Sequence, residues 1–450
     1  MTGADQSSDL LTELERLLDS DPLMDEVGFI HPSQFAELRK EAGSTSKDGL
    51  MGSAQTEANT FDLVFWSRDH KLGISTTALL PLYKAAKHAF MEAIRQYQTL
   101  TDLQRERDDS KDDNASTFTS SSISILETDV MKHSRALLLL SCDFGTAWNC
   151  RYTGMYIDVQ GHILNLESIG WKVVVSKLQL LHTYMDERNL SSLVLSYAPK
   201  SERAWNHRRW VIKMIAGKCP NLQEIIERES EFVEKLAERS KMNYRAWNHR
   251  CWLVSYMSGE QVLHELNKSR DWAGLHVADN SCFHYRTRLL LKILEGYDDQ
   301  NSAASSATNF HELWKKELDW VATLIKCYVG REALWLYRRF LSLTWIKHFT
   351  TQVHSNSLGS CPKNIMNVEV FMSNELQLCH YCSSIPDNDF EDYQAQATFS
   401  ATYIMWITRQ VAGSLQVELR KKLEANGLKT QVNNVCPEKS FLWNTFSESI

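Results

Sequence analysis

The chain has 450 residues, with 49 Lys and Arg against 56 Asp and Glu and a formal net charge of −7. That balance excludes a strongly basic nucleic-acid binder as a description of the whole chain and leaves room only for a local basic groove. Hydrophobic residues make up 43%, enough for a full core, and only 18 glycines and 8 prolines interrupt the chain, which favours helix over a turn-rich β sandwich.

No apolar run exceeds five residues, as in Ala136 to Leu140, far too short for a membrane span. The N-terminal stretch lacks a signal-peptide core, and the ten cysteines are scattered. Reduced thiols in a cytoplasmic protein are therefore expected. Cys436, the last cysteine, lies outside a C-terminal lipidation box.

Leu10, Leu11, Leu14, Leu17 and Leu18 mark a first amphipathic helix, followed by a polar stretch at 41–49. Residues 61–66 read as a short buried segment or strand. Leu79, Leu82, Tyr83, Ala86, Phe90, Ile94 and Tyr97 keep helical spacing. Residues 101–124 are charged and then Ser/Thr-rich without a period, which predicts a disordered loop. Polar loops are also expected at 298–309, 351–360 and 383–392. A last helix is expected over 393–424, with Phe399, Tyr403, Trp406 and Ile407 on its apolar face. It reads as a cap of the array or as a partner-binding helix. The expected division is 1–125 for N-terminal helices and the polar loop, 126–350 for five repeats, 351–425 for capping helices and 426–450 for a flexible tail.

The repeats carry most of the information. Similar segments stand at 146–151 (TAWNCR), 203–208 and 245–250 (RAWNHR twice), 281–286 (SCFHYR) and 333–338 (ALWLYR). Their aromatic anchors are Trp148, Trp205, Trp247, Phe283 and Trp335, and three residues on come Arg151, Arg208, Arg250, Arg286 and Arg338. Each anchor opens an apolar helix, and most follow another amphipathic helix, such as 222–240 or 311–328. The unit is a helical hairpin that must stack on its neighbours. Anchor and arginine share one helix face. The ring suits wedging between hairpins, and the guanidinium suits tying to carbonyls or carboxylates of the next one. The predicted fold is all-α, a right-handed superhelical array of helical hairpins (an α-α solenoid). A 34-residue TPR period and its signature are absent.

The stretches 197–210 (YAPKSERAWNHRRW), 241–252 (KMNYRAWNHRCW) and 279–286 (DNSCFHYR) resemble the protein prenyltransferase α-subunit family, whose pattern is roughly P-K-N-Y-x-x-W-x-x-R. The resemblance covers about 130–350, with the three stretches in the order of the family's second, third and fourth repeats. The long insertions and flanks look most like an orphan member of that family. It implies a crescent of hairpins around a partner β subunit, an α–α barrel that holds zinc and the isoprenoid pocket. No cofactor is then expected on this chain.

On residue type alone Lys200 is an exposed loop lysine. The resemblance places it on the family lysine that faces the isoprenoid diphosphate, where a fixed cation offsets charge developing on the leaving group. The family Asn-Tyr is replaced by Ser201 and Glu202, and a carboxylate there repels a diphosphate unless it points away or pairs with Arg203. Asn243 and Tyr244 match the pattern. Arg245 stands where farnesyltransferase carries a diphosphate-side histidine, and is either a second diphosphate contact or a solvated arginine. Tyr244 is either a rim hydrogen-bonding group or a packing residue between hairpins. The implied partner is a prenyltransferase β subunit, that of Rab geranylgeranyltransferase. The implied substrates are proteins with a C-terminal cysteine and an isoprenoid diphosphate bound at the subunit interface. The competing reading is a helical-repeat adaptor that kept the fold without catalysis.

Cys379 and Cys382 form a lone C-x2-C without a second pair, which reads as core or exposed thiols rather than zinc ligands. His207 and His249 recur with the repeat, which favours packing over metal binding. No P-loop, dinucleotide fingerprint or nucleophile elbow is present.

Overall fold

A computed structural model describes residues 3–35, 37, 64–108, 116–152, 170–299, 304–350, 363–383, 391–411, 413–425, 427, 430 and 441. The expected loop at 351–360 and nearly all of the tail at 426–450 lie outside them. Two compact units divide at residues 249 and 250.

The first unit opens with helix α1 (Gly3–Ser20), which buries Leu10, Leu11, Leu14 and Leu18. A small sheet follows, an addition to the helical array expected from the periodicity. Strand β1 (Glu26–Ile30) runs parallel to β3 (Lys71–Ser75), and β2 (Phe65–Arg68) pairs antiparallel with β3. The β2–β3 turn places Asp69 (φ 51°) and His70 (φ 61°) in the left-handed region, as a two-residue hairpin requires. At Gly73 a Cβ would lie 2.3 Å from the Cδ1 end of the Ile30 side chain, which would have to turn aside.

Helix α2 (Leu79–Asp108) and helix α3 (Ser116–Leu140) follow. The predicted disordered loop at 101–124 is thus largely wrong: residues 101–108 extend one helix and 116–124 begin the next. Gln, Arg, Glu and Leu at 103–107 are good helix formers, and Thr128 returns its hydroxyl to the Ser124 carbonyl at 3.0 Å within the turn. The loop expected at 298–309 narrows in the same way, because helices occupy 298–299 and 304–309. Helix α1 is tied to α3 by Glu15, which meets His133 at 2.6 Å and Lys132 at 3.4 Å.

Hairpins make up the rest. In the first unit α3 returns through 145–152 (α4), α5 (Gly170–Tyr197) through α6 (Glu202–Ala216), and α7 (Leu222–Arg239) through α8 (Tyr244–Leu253), whose end enters the second unit. The second unit contains α9 (Gly259–Leu275) with α10 (Asn280–Asp299), and α11 (Ala304–Cys327) with α12 (Glu332–Thr350). It closes with α13 (Lys363–Cys382), α14 (Glu391–Gln410) and α15 (Ser414–Ala425). The single last helix expected over 393–424 is therefore two helices. Gly413 (φ 73°) takes the left-handed conformation that ends one and admits the next.

One buried arrangement recurs through both units. In the first, Arg151 clasps Glu187 with Nε at 2.9 Å, and Arg208 clasps Glu229 with Nη2 at 2.7 Å. The same carboxylates accept from His207 Nε2 at 2.8 Å and His249 Nε2 at 2.9 Å. In the second, Glu265 joins Arg250 (2.9 Å) to Tyr285 (2.6 Å), and Glu317 joins Arg286 (2.7 Å) to Tyr337 (2.8 Å). Glu375 joins Arg338 (3.0 Å) to Tyr403 (2.6 Å). Arg151, Arg208, Arg286 and Arg338 also donate to a carbonyl on the first helix of their own hairpin, to Met131 (2.7 Å), Arg188 (2.9 Å), Leu266 (2.5 Å) and Leu318 (2.5 Å). The guanidinium thus spans three helices. Aromatic anchors pack beside it with tilted rings: Trp148 against His207 at 4.7 Å and Trp205 against His249 at 4.9 Å between ring centres.

Burial alone would raise the pKa of Glu187, but the Arg151 charge and the His207 hydrogen bond hold it at about 2. Glu229 is also lowered, by Arg208 and His249 against its burial. Burial lowers His249 in turn, with Arg208 and Arg209 adding to the effect, so a neutral ring donates to an ionised carboxylate. Burial pushes Tyr285, Tyr337 and Tyr403 well above 10 and keeps them protonated as donors.

Glu229→Ala leaves Arg208 charged and buried, and should cost about 3–5 kcal/mol, read from urea unfolding at neutral pH. Glu187 is ionised below its usual range in the folded state, so its contribution is complete above the unfolded value of 4.5 and is lost as pH falls toward about 2. The urea midpoint should drop between pH 5 and pH 3, and a double replacement of Arg151 and Glu187 by leucine should blunt that drop.

Candidate functional site

The loops joining the paired helices of the first unit run along one edge and are stitched together. Ser201 donates its hydroxyl to Asp143 Oδ1 at 3.0 Å, joining 198–201 to 141–144. Asn243 Nδ2 donates to the Pro199 carbonyl at 2.9 Å, joining 240–243 to 198–201. Trp205 Nε1 donates to that same carbonyl at 2.9 Å. Asn243 is buried and also caps α8, its Oδ1 accepting from the Ala246 amide at 3.1 Å. Ser201 caps α6 in the same way through the Ala204 amide at 3.4 Å.

Lys200 and Arg245, singled out for diphosphate contact, and Tyr244, singled out for the rim, lie on this edge. Lys200 is exposed and has no ion-pair partner among the described residues. Tyr244 is 69% exposed, so it does not pack between hairpins. Arg245 pairs with Glu202 at 2.8 Å across the α6–α8 edge. The partner of Glu202 is therefore Arg245 and not Arg203, whose guanidinium lies against Gly145, with Nη1 2.7 Å from where a Cβ would stand. Arg209, beside this group, was not foreseen. It is half-buried, its Nε is buried without a partner among the described residues, and burial lowers its pKa.

The repeat anchors occupy the interior. Trp148, Trp205, Trp247, Phe283 and Trp335 are buried, as are Arg151, Arg208, Arg250, Arg286 and Arg338. Sequence reasoning missed the five glutamates that complete the clasps. A signal was present, since Glu187, Glu229, Glu265 and Glu317 each precede their His or Tyr donor by 20 residues.

No metal site is assembled from the cysteine and histidine motifs. His207 and His249 are bound by different carboxylates. Cys379 Sγ faces the Ser400 carbonyl at 3.6 Å, and Gln396 Nε2 lies 3.4 Å from Cys382 Sγ. Burial raises both thiols, Cys382 to about 11, which disfavours the thiolate a metal needs. Among the described residues, no group of three or more His, Cys, Asp or Glu side chains is arranged to hold a metal ion, and no helix is long and apolar enough to cross a membrane. The edge presents Lys200 and Arg245 as cations toward an anionic ligand, Arg245 being held by Glu202.

The family model of the protein prenyltransferase alpha subunit repeat matches residues 184–215, 226–257 and 314–345. Each span holds one clasp glutamate, its ring donor, one anchor tryptophan and one anchor arginine. The chain is 30% identical over 279 residues to protein prenyltransferase alpha subunit repeat-containing protein 1 of Danio rerio, covering 53% of this chain and 60% of that protein. It is 29% identical over 276 residues to the protein of that name in Homo sapiens, covering 52% and 61%. In Xenopus laevis, repeat-containing protein 1-A is 29% identical over 246 residues, covering 45% and 52%. The matches thus span between about half and three fifths of these relatives' length. The matched hairpins are closed by the same buried clasp, and over those residues the chain is similar to protein prenyltransferase alpha subunit repeats.

Proposed function

We propose that this chain is the α-type subunit of a heterodimeric protein prenyltransferase, acting with a barrel-shaped β subunit of the Rab geranylgeranyltransferase kind. The proposed reaction transfers a geranylgeranyl group to a cysteine near the C-terminus of a protein substrate. The observation that carries this reading is Lys200, exposed and without an ion-pair partner among the described residues, on a loop held through Pro199 by Asn243.

The chemistry asks little else of this chain. A C1–S bond forms, the C1–O bond to diphosphate breaks, the bonding pair leaves with the diphosphate, and the thiol proton is lost. Lys200 would stabilise the charge that grows on the departing oxygens. Zinc, expected on the partner, would supply the thiolate. Arg245 would add a second charge only by sharing itself with Glu202. Tyr244 stands beside it with its hydroxyl available to the rim.

That Arg245–Glu202 pair favours a second reading. It neutralises one of the two cations the reaction would use, as suits a repeat adaptor that kept the partner surface and lost the chemistry. The two readings separate on co-purification with the β subunit, followed by transfer of labelled geranylgeranyl to a cysteine peptide. A stable complex without transfer to any substrate supports the adaptor.

Lys200→Ala should leave the heterodimer intact and slow transfer at saturating substrate by about 10²-fold, the low end for one charge-stabilising donor. Wild-type turnover in that variant would remove Lys200 from the site.

A further inference from the structure

The most unusual residue of the loop edge is Met242. Its side chain is 81% exposed, and its φ is 56°. In the left-handed region a Cβ crowds the backbone, and glycine is the residue that fits without cost. The third position of the corresponding loop between α11 and α12 holds Gly330 at φ 74°. Folding gains nothing visible from a methionine at 242, since its side chain reaches into solvent.

Asn243 explains how the exposure is enforced. Buried and tied to Pro199 and Ala246, it locks the chain between two neighbours that both face outward. Met242 and Tyr244 therefore form a fixed apolar pair, 81% and 69% exposed. Lys241 and Arg245 adjoin them in sequence, Lys200 follows the Pro199 carbonyl that holds Asn243, and half-buried Arg209 lies near Tyr244 and Arg245. Two carboxylates of the edge are already engaged, Glu202 by Arg245 and Asp143 by Ser201. The edge is cationic in a chain whose net charge is −7.

Methionine, tyrosine and arginine on rigid backbone are the composition of an interface centre. A nucleic acid would be met by a broader basic surface without a methionine at its centre. We propose that Met242 and Tyr244 insert into an apolar recess on a protein partner, and that carboxylates rimming the recess pair with Arg245 and Arg209. This rests on the heterodimer reading and assigns the recess to the β subunit.

The test measures dissociation constants of the full chain with the β subunit, alongside thermal melting of the free chain. Met242→Gly should melt no lower than wild type, because glycine accepts the left-handed conformation, yet bind at least tenfold more weakly. Arg245→Glu should weaken binding by tenfold or more, and rising salt should weaken the wild-type complex. Lys235→Glu, an exposed charge on α7 away from the loops, should bind like wild type. Wild-type affinity in both edge variants overturns this surface and leaves the heterodimer standing. A lower melting point for Met242→Gly shows that methionine serves the fold, and overturns it too. Failure of the wild-type chain to bind the β subunit removes the heterodimer reading and this inference together.

Discussion

An ionised carboxylate held between a guanidinium and a ring donor, away from water, is the interaction on which each unit is built. Desolvating such a carboxylate is expensive, and a buried ion pair adds little net stability over apolar packing. Its force lies in what happens when it is broken or shifted. Glu229 satisfies Arg208 and His249 at once. Sliding one hairpin by a single residue would leave a charge and two donors stranded. The clasp therefore selects one register among the many that a leucine-rich helix face would tolerate.

The same geometry explains the division of labour within the repeat. Trp205, His207 and Arg208 are buried, as are Trp247, His249 and Arg250. The residues just before and within the turn, such as Lys200 and Met242, carry no part of the clasp and face water. Stacking can thus be preserved while the loop edge changes its chemistry. Glu202 at the head of α6 illustrates this freedom: it suits the positive end of the helix and takes Arg245 as its counter-charge. A substitution that looks disruptive beside a diphosphate is harmless to the hairpin.

Much of the architecture could be read from the chain before any coordinates. The anchor pattern marked where second helices begin, because a wedge-shaped ring and a forked cation are needed at the same turn of every hairpin. The sheet was less visible. Its strands are only four or five residues long, and β1 pairs with β3 across more than forty residues of sequence, so no local period announces it. The turn at Asp69 and His70 lacks the glycine that usually signals a hairpin. The polar segment before Asp108 was misjudged because its residues lack an apolar face, although their intrinsic helix preference is high.

Residue types recurring at fixed spacing are enough to establish the repeat, its helical character and the family likeness. Which carboxylate meets which arginine, that Glu202 belongs to Arg245, and that Met242 and Tyr244 point outward on either side of a buried asparagine emerge from the folded chain alone. Such pairings depend on distances between helices, and the loops of varying length between repeats conceal those distances from any reading along the chain.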